Sequence, residues 1–184
     1  MQSLYFLLDL PCVLTLPDGI AGGQEKCEKC LSEFKFDGMI DYKKCKSLSR
    51  AIHELCPQGI DVFFDNVGGK ILEAALSNLR RKARVVLCGS ISEYNSKPQD
   101  LLGPRNYMAL LIHRARMEGF VVFDYAAQFD SAAKEMIPWI QAGKLKYSEH
   151  VLFGLDQAPQ ALGMLFTGQN QGKMIIQLHS SSSL

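Results

Sequence analysis

The 184-residue chain predicts a doubly wound α/β fold on a parallel sheet, and three observations carry that expectation. Residues 60–64 and 83–88 are short, nearly continuous apolar runs rich in β-branched and aromatic residues, as in strands covered on both faces. Between them Ile71, Leu72, Ala75, Leu76 and Leu79 recur at helical spacing, which gives a crossover helix with one apolar face. Polar loops bearing glycine and asparagine follow the two runs, at residues 65–69 and 89–95. A right-handed βαβ unit brings both loops to one edge of the sheet, where ligands of open α/β sheets collect.

The remaining elements extend this pattern in both directions. Residues 5–8 and 13–16 have strand composition, but Pro11 and Pro17 break any longer element. Gly19-Ile20-Ala21-Gly22-Gly23 makes a tight strand-to-helix turn into a helix over 24–34. Residues 38–42 read as a strand, and 47–55 as a helix with Leu48, Ile52 and Leu55 on one face. Pro57 and Gly59 then end that helix. After residue 95 comes loop to Pro104, a helix over 107–116, a strand over 119–125 and a helix over 128–142 that Pro138 should kink or divide. From Lys144 the texture changes to alternation over 147–153, a short helix over 158–166 and alternation over 173–178, a second and smaller unit.

Composition excludes several function classes. Twenty basic against nineteen acidic side chains leave a formal charge of +1, so no bulk field favours nucleic acid or an anionic membrane. Residues 1–16 are apolar but lack a basic leader, and Asp9 and Pro11 interrupt them well short of a membrane span. Arg80-Arg81-Lys82 is expected at a helix C-terminus, serving the dipole, and the terminal serines are a solvated tail. Cys27 and Cys30 form a CxxC on an expected helix without a second pair or a His pair, so they read as ordinary helix positions. Free thiols fit a reducing, cytoplasmic setting. No nucleophile elbow or HExxH occurs, and His53, His113, His150 and His179 read as helix-surface or tail residues, so no metal ligand is expected. Gly69-Lys70 and Gly172-Lys173 lack the rest of a phosphate loop.

The loops at the strand ends carry the chemistry. Gly22-Gly23 with Lys26, Tyr42 with Lys43, Asn66 with Gly68-Gly69, and residues 88–95 would gather at one sheet edge. A nucleotide uses such an edge, with backbone donors and a lysine for phosphate, an amide for ribose and a hydroxyl near the reacting ring. The glycines and Asn66 serve equally well as plain turn formers, and residue types alone leave both readings open.

The motifs GIAGGQEKC, FDGMIDYK, GIDVFFDNVGG, ARVVLCGSISEYN, GPRNY, RARMEGFVVFDY and GKMIIQL narrow the choice. Together they resemble the zinc-independent medium-chain dehydrogenase/reductases, in the group of prostaglandin reductases, leukotriene hydroxydehydrogenases and alkenal double-bond reductases. The resemblance implies a Rossmann-like domain that takes NADPH and reduces the carbon–carbon double bond of an enone or oxo-lipid. It matches Lys26 to the lysine at the adenosine 2′-phosphate, Tyr42 to the tyrosine near that phosphate, and Asn66 to the cofactor-binding asparagine after the strand. It matches Cys88, Gly89, Ser90, Ile91, Ser92, Glu93 and Tyr94 to the loop along the nicotinamide, and Phe120, Val121 and Val122 to a strand end beside it. Asn170 matches a cofactor contact from the C-terminal segment, and Tyr94 the tyrosine whose hydroxyl would stabilise the enolate at the substrate carbonyl.

Two departures accompany the match. The family's separate substrate domain is missing, as are the first Rossmann strand and its AxxGxxG-like phosphate loop. The expected organisation is therefore an unmatched segment at 1–18, an incomplete NADP-binding domain at 19–142 and a C-terminal segment of the catalytic domain at 143–184. In the order 3-2-1-4-5-6 the absent strand lies in the middle, so the half with residues 38–42 should lack a bridge to the half with residues 60–64. A truncated or alternatively started reductase of impaired activity is the leading expectation. The alternative is a non-catalytic isoform that dimerises with a full-length reductase through the edge strand 119–125. A zinc alcohol dehydrogenase is the weakest reading, because its catalytic ligands would come from the absent domain.

Overall fold

The computed structural model describes residues 17–178, which fall into two compact units, 17–126 and 127–178. The expected strands at 5–8 and 13–16, the serine tail and His179 lie outside the described residues.

In the first unit, β1 (Asp18–Ala21) leads through α1 (Gln24–Ser32) to β2 (Gly38–Asp41), and the two strands pair in parallel. The next helix, α2 (Leu48–Leu55), starts at Ser47, whose hydroxyl accepts the Arg50 amide at 3.3 Å. A three-stranded parallel sheet follows in the order β3 (Ile60–Asp65), β4 (Leu79–Leu87), β5 (Arg116–Gly119). Its crossovers are α3 (Gly69–Leu76) and a longer excursion ending in α4 (Met108–His113). Phe63 and Val85 turn toward Ile71, Leu72, Ala75 and Leu76 of α3, and this core also takes in Ile20, Ile40 and Ile52. One apolar cluster therefore underlies both sheets, although among the described residues β1 and β3 do not pair. That break falls where the doubly wound order places its first strand.

In the second unit, α5 (Phe129–Gln141) precedes β6 (Glu149–Phe153), α6 (Ala158–Thr167) and β7 (Lys173–Gln177), with β6 and β7 paired in parallel. Gly172, at φ 93°, is needed there, because a Cβ would collide with the Ser148 carbonyl.

Several expectations need correction. The strand expected at 119–125 is instead Arg116–Gly119, followed by a 3₁₀ segment at Val122–Gln128. β4 ends at Leu87, whose carbonyl takes the Phe120 amide at 3.2 Å, so the ladder stops there. Beyond it the Asp124 carboxylate accepts the Val121 amide at 3.2 Å and closes a turn. Leu79 belongs to β4 rather than to the crossover helix, and Arg80-Arg81-Lys82 follow it in the strand instead of capping a helix. They form a bulge: Ile60 pairs with Leu79 but Val62 with Arg84, so residues 80–83 stand opposite Asp61 alone. Lys82 takes φ 65° in it, and Arg80 reaches Asp61 at 3.1 Å. Helix α5 runs on through Pro138 as one element, because the proline falls in its last turns. His150 is on strand β6, half-buried, where its Nδ1 accepts the Gln171 amide at 3.3 Å.

Candidate functional site

The turn after β3 is organised by a side chain that the motif search passed over. Asp65 is fully buried, and its Oδ1 accepts the amides of Val67 at 2.8 Å and Gly68 at 3.0 Å. This is an Asx turn that lets the chain leave the sheet and enter α3. Burial raises the Asp65 carboxyl above the ordinary range, the two amides counter this, and the Glu93 charge adds to the rise. Gly68, at φ 70°, leaves no room for a Cβ, which would meet the Ser90 hydroxyl.

The loop after β4 is zipped onto this turn. Cys88 and Gly89 donate to the Asp65 carbonyl at 2.8 and 3.1 Å, Ile91 to that of Asn66 at 3.1 Å, and Ser92 to that of Val67 at 3.1 Å. The Ser92 hydroxyl also reaches the Val67 carbonyl at 2.6 Å, and the Ser90 hydroxyl bonds the Glu93 carboxylate. Gly89 permits a close approach: a Cβ there would stand 3.0 Å from the Tyr94 hydroxyl and 3.2 Å from the Asn66 carbonyl. Tyr94 is 60% exposed, and its hydroxyl accepts the Ser90 amide at 3.2 Å. Phe120 closes the third strand end, its ring 6.0 Å from that of Phe64 and 5.8 Å from that of Tyr125. Asn66, residues 88–94 and Phe120 therefore lie together at the carboxyl ends of β3, β4 and β5, while Val121 and Val122 are 58% and 54% exposed in the turn that follows.

The ends of β1 and β2 form a second cluster over the same core. Asp41 Oδ1 accepts the amides of Gly23 at 2.9 Å and Lys43 at 3.1 Å, tying the glycine turn to the end of β2. The Asp41 Oδ2 is buried with no hydrogen-bond partner among the described residues. The Lys44 ammonium adds a second tie, to Gln24 Oε1 at 2.6 Å. Gly23, at φ 104°, has open space where a side chain would sit. Lys26 lies in the first turn of α1; burial draws its ammonium below the ordinary range, and the nearby Lys43 charge adds to that. Tyr42 packs against the shared core and donates its amide to Ala21 at 3.1 Å. A lysine in the first turn of a helix and an open glycine turn before it form a donor set suited to a phosphate.

Asn170 is in the second unit, before β7; it is 9% exposed and its Nδ2 donates to the Gly172 carbonyl at 2.9 Å, while Oδ1 is buried with no hydrogen-bond partner among the described residues. Cys27 and Cys30 are buried on α1, and burial pushes the Cys30 thiol up to about 11. Among the described residues no three His, Cys, Asp or Glu side chains gather as metal ligands. Asp41 and Asp65 are the residues the motif reading missed; the signal available for Asp65 was an Asp three positions before a Gly-Gly.

Residues 19–142 match the family model described as zinc-binding dehydrogenase. The chain belongs to that family, in its zinc-independent medium-chain reductase branch. It is 44% identical over 158 residues to a 2-alkenal reductase (NADP(+)-dependent) of Nicotiana tabacum, covering 86% of this chain and 46% of that protein. Prostaglandin reductase 1 of Bos taurus is 35% identical over 159 residues, with 86% of this chain and 48% of that protein covered. Among solved structures, CurA of Vibrio vulnificus in complex with NADPH superposes with a TM-score of 0.81 at 39% identity, over 89% of this chain and 49% of CurA. The chain thus spans about half the length of these relatives.

Proposed function

We propose that this chain carries the cofactor half of an NADPH-dependent reductase acting on a carbon–carbon double bond conjugated to a carbonyl. The observation that carries the reading is the pair of laced loop clusters at the strand ends, found in a chain whose relatives include an NADP-dependent alkenal reductase and a CurA structure with NADPH. In this reading Lys26 and Tyr42 take the adenosine 2′-phosphate, Asn66 a ribose, and the backbone of residues 88–93 the nicotinamide flank. Phe120, Val121 and Val122 border the ring, and the family resemblance also assigns a cofactor contact to Asn170. NADPH supplies the hydride. Tyr94 holds its O–H toward the substrate oxygen as negative charge develops there, and the Ser90 amide on its oxygen strengthens that donation. The hydride goes to the β-carbon, and a proton is added at the α-carbon from solvent or through Tyr94.

The test is NADPH binding by fluorescence, comparing the chain with Lys26→Ala. A charge-assisted bond to phosphate contributes about 1.5–3 kcal/mol, so the variant should bind at least tenfold more weakly. Equal, tight binding would remove Lys26 from the site. Turnover of a short enone should be weak in this chain alone and robust in a full-length relative.

A second reading is a non-catalytic subunit that pairs with a full-length reductase. The segment after β5 supports it: Val121, Val122, Phe123 and Tyr125 are 47–75% exposed, an apolar cluster next to the last strand of the sheet. Sedimentation with and without a full-length subunit checks this, and a monomer in both cases removes it.

A further inference from the structure

We infer that Glu93 is a positioning residue for Tyr94, acting through Ser90. This rests on the role proposed above for Tyr94 and extends it from the backbone of the loop to the Glu93 carboxylate. Glu93 is half-buried, and its carboxylate takes the Ser90 hydroxyl. Its amide donates to the Ser90 carbonyl at 2.9 Å, so positions 90 and 93 are joined twice, once through side chains and once through the backbone. The serine held in this way places its own amide on the Tyr94 hydroxyl oxygen, at 3.2 Å. Among the described residues that amide is the hydroxyl's hydrogen-bond partner.

Two glycines make room for this brace. A Cβ on Gly68 would meet the Ser90 hydroxyl and stand 3.2 Å from Glu93 Oε2, and one on Gly89 would stand 3.0 Å from the Tyr94 hydroxyl. The serine–glutamate pair therefore sits against the turn that Asp65 closes, and the tyrosine hydroxyl against the backbone just before Ser90. Tyr94 is 60% exposed, so packing does little to fix its ring, and the bond from Ser90 decides where the hydroxyl stands. Misplacing a catalytic group by about 1 Å costs on the order of a hundredfold in rate, which is what such a brace prevents. Stability does not account for a carboxylate here. Its charge opposes that of the buried Asp65 and adds to the rise of that carboxyl, so the charge itself works against the fold.

The experiment is NMR of the whole chain, isotope-labelled at the tyrosine ζ carbon and the backbone nitrogen, for wild type, Glu93→Ala, Glu93→Gln, Ser90→Ala and the double change, with Tyr94→Phe identifying the Tyr94 signal. Glu93→Ala should move the Tyr94 ζ-carbon resonance and speed exchange of the Ser90 amide about three- to tenfold, as loss of one such bond implies. Ser90→Ala should do the same and the double change no more, whereas Glu93→Gln, which keeps an acceptor for the Ser90 hydroxyl, should hold both readouts near wild type. The urea midpoint should move little in any of them. Wild-type values of both readouts in Glu93→Ala overturn the inference. A midpoint that falls in Glu93→Ala and Glu93→Gln alike, with both readouts following it, marks a structural role and overturns it too. NADPH fluorescence is recorded on the same samples: if the wild type binds none while the resonances behave as expected, the NADPH reading falls and the link from Glu93 to Tyr94 stands.

Discussion

The two loop clusters rest on one core but are held together in opposite ways. At the ends of β3 and β4 the backbone is nearly self-sufficient: the carbonyls of Asp65, Asn66 and Val67 all take amides from residues 88–92, and a buried carboxylate closes the turn beneath. At the ends of β1 and β2 side chains supply most of the ties: Asp41 Oδ1 takes the Gly23 and Lys43 amides and the Lys44 ammonium reaches Gln24, beside one backbone bond from Tyr42 to Ala21. Under the proposed function, rigidity built from backbone bonds would suit a flat ring that must be positioned, and a side-chain clasp an anion that must be captured. The contrast also says where damage should cost stability and where it should cost binding.

The largest effect is expected at the base of the first cluster. Asp65→Ala removes the acceptor of two amides in a fully buried turn and should cost about 2–4 kcal/mol in urea unfolding, with a smaller loss for Asp65→Asn. The same carboxyl gives a pH signature. Because burial raises its folded-state value, the native chain holds that proton more tightly than the unfolded chain. This contribution is complete below the ordinary carboxylate value and lost as pH rises through the raised one, so wild-type stability relative to Asp65→Asn should decline from about pH 4 upward. A rise would reverse the assignment of cause.

Next in size is Gly68→Ala, which combines a φ of 70° with a clash against the Ser90 hydroxyl and should cost about 1–2 kcal/mol. If the loops are as tightly zipped as their bonds imply, exchange protection of the Ile91 and Ser92 amides should fall with it. Tyr94→Phe should separate function from fold: its hydroxyl bond is on the surface, so unfolding should move by no more than about 0.5 kcal/mol. Enone turnover of a full-length relative with the matching change should drop about tenfold or more. The smallest effect belongs to α2, where Arg50 and Glu54 meet at 2.8 Å with both side chains exposed; Glu54→Gln should change stability by only about 0.3 kcal/mol.

Much of the first unit was legible in the sequence because its signals are local. Apolar runs marked β3 and the later part of β4, Leu48, Ile52 and Leu55 marked α2, and the glycine pairs marked the turns. That β1 and β3 do not pair among the described residues agrees with the expected strand order, which does not depend on any residue's preference. What stayed hidden was set by partners distant in sequence. GFVVFDY has strand composition, but β4 ends at Leu87 and offers it nothing further to pair with, so the chain turns at Asp124. Asp41 looked like an ordinary strand residue beside the more conspicuous Tyr42 and Lys43. Its role appears only when Gly23, 18 positions earlier, is brought alongside it.

The bulge in β4 has a consequence for how such a chain tolerates change in length. Residues 80–83 leave the ladder opposite Asp61 and rejoin it at Arg84, after which Val85 faces α3 and lies in the core. The exposed part of that detour is residues 80–82, where an added or removed residue alters the size of the detour, whereas Ala83 already lies in the core. The same change two positions after Arg84 would turn the buried side of the strand outward. Variants differing by one residue should therefore be tolerated best within residues 80–82, and a short insertion there should leave the loops at the far end of the strand undisturbed.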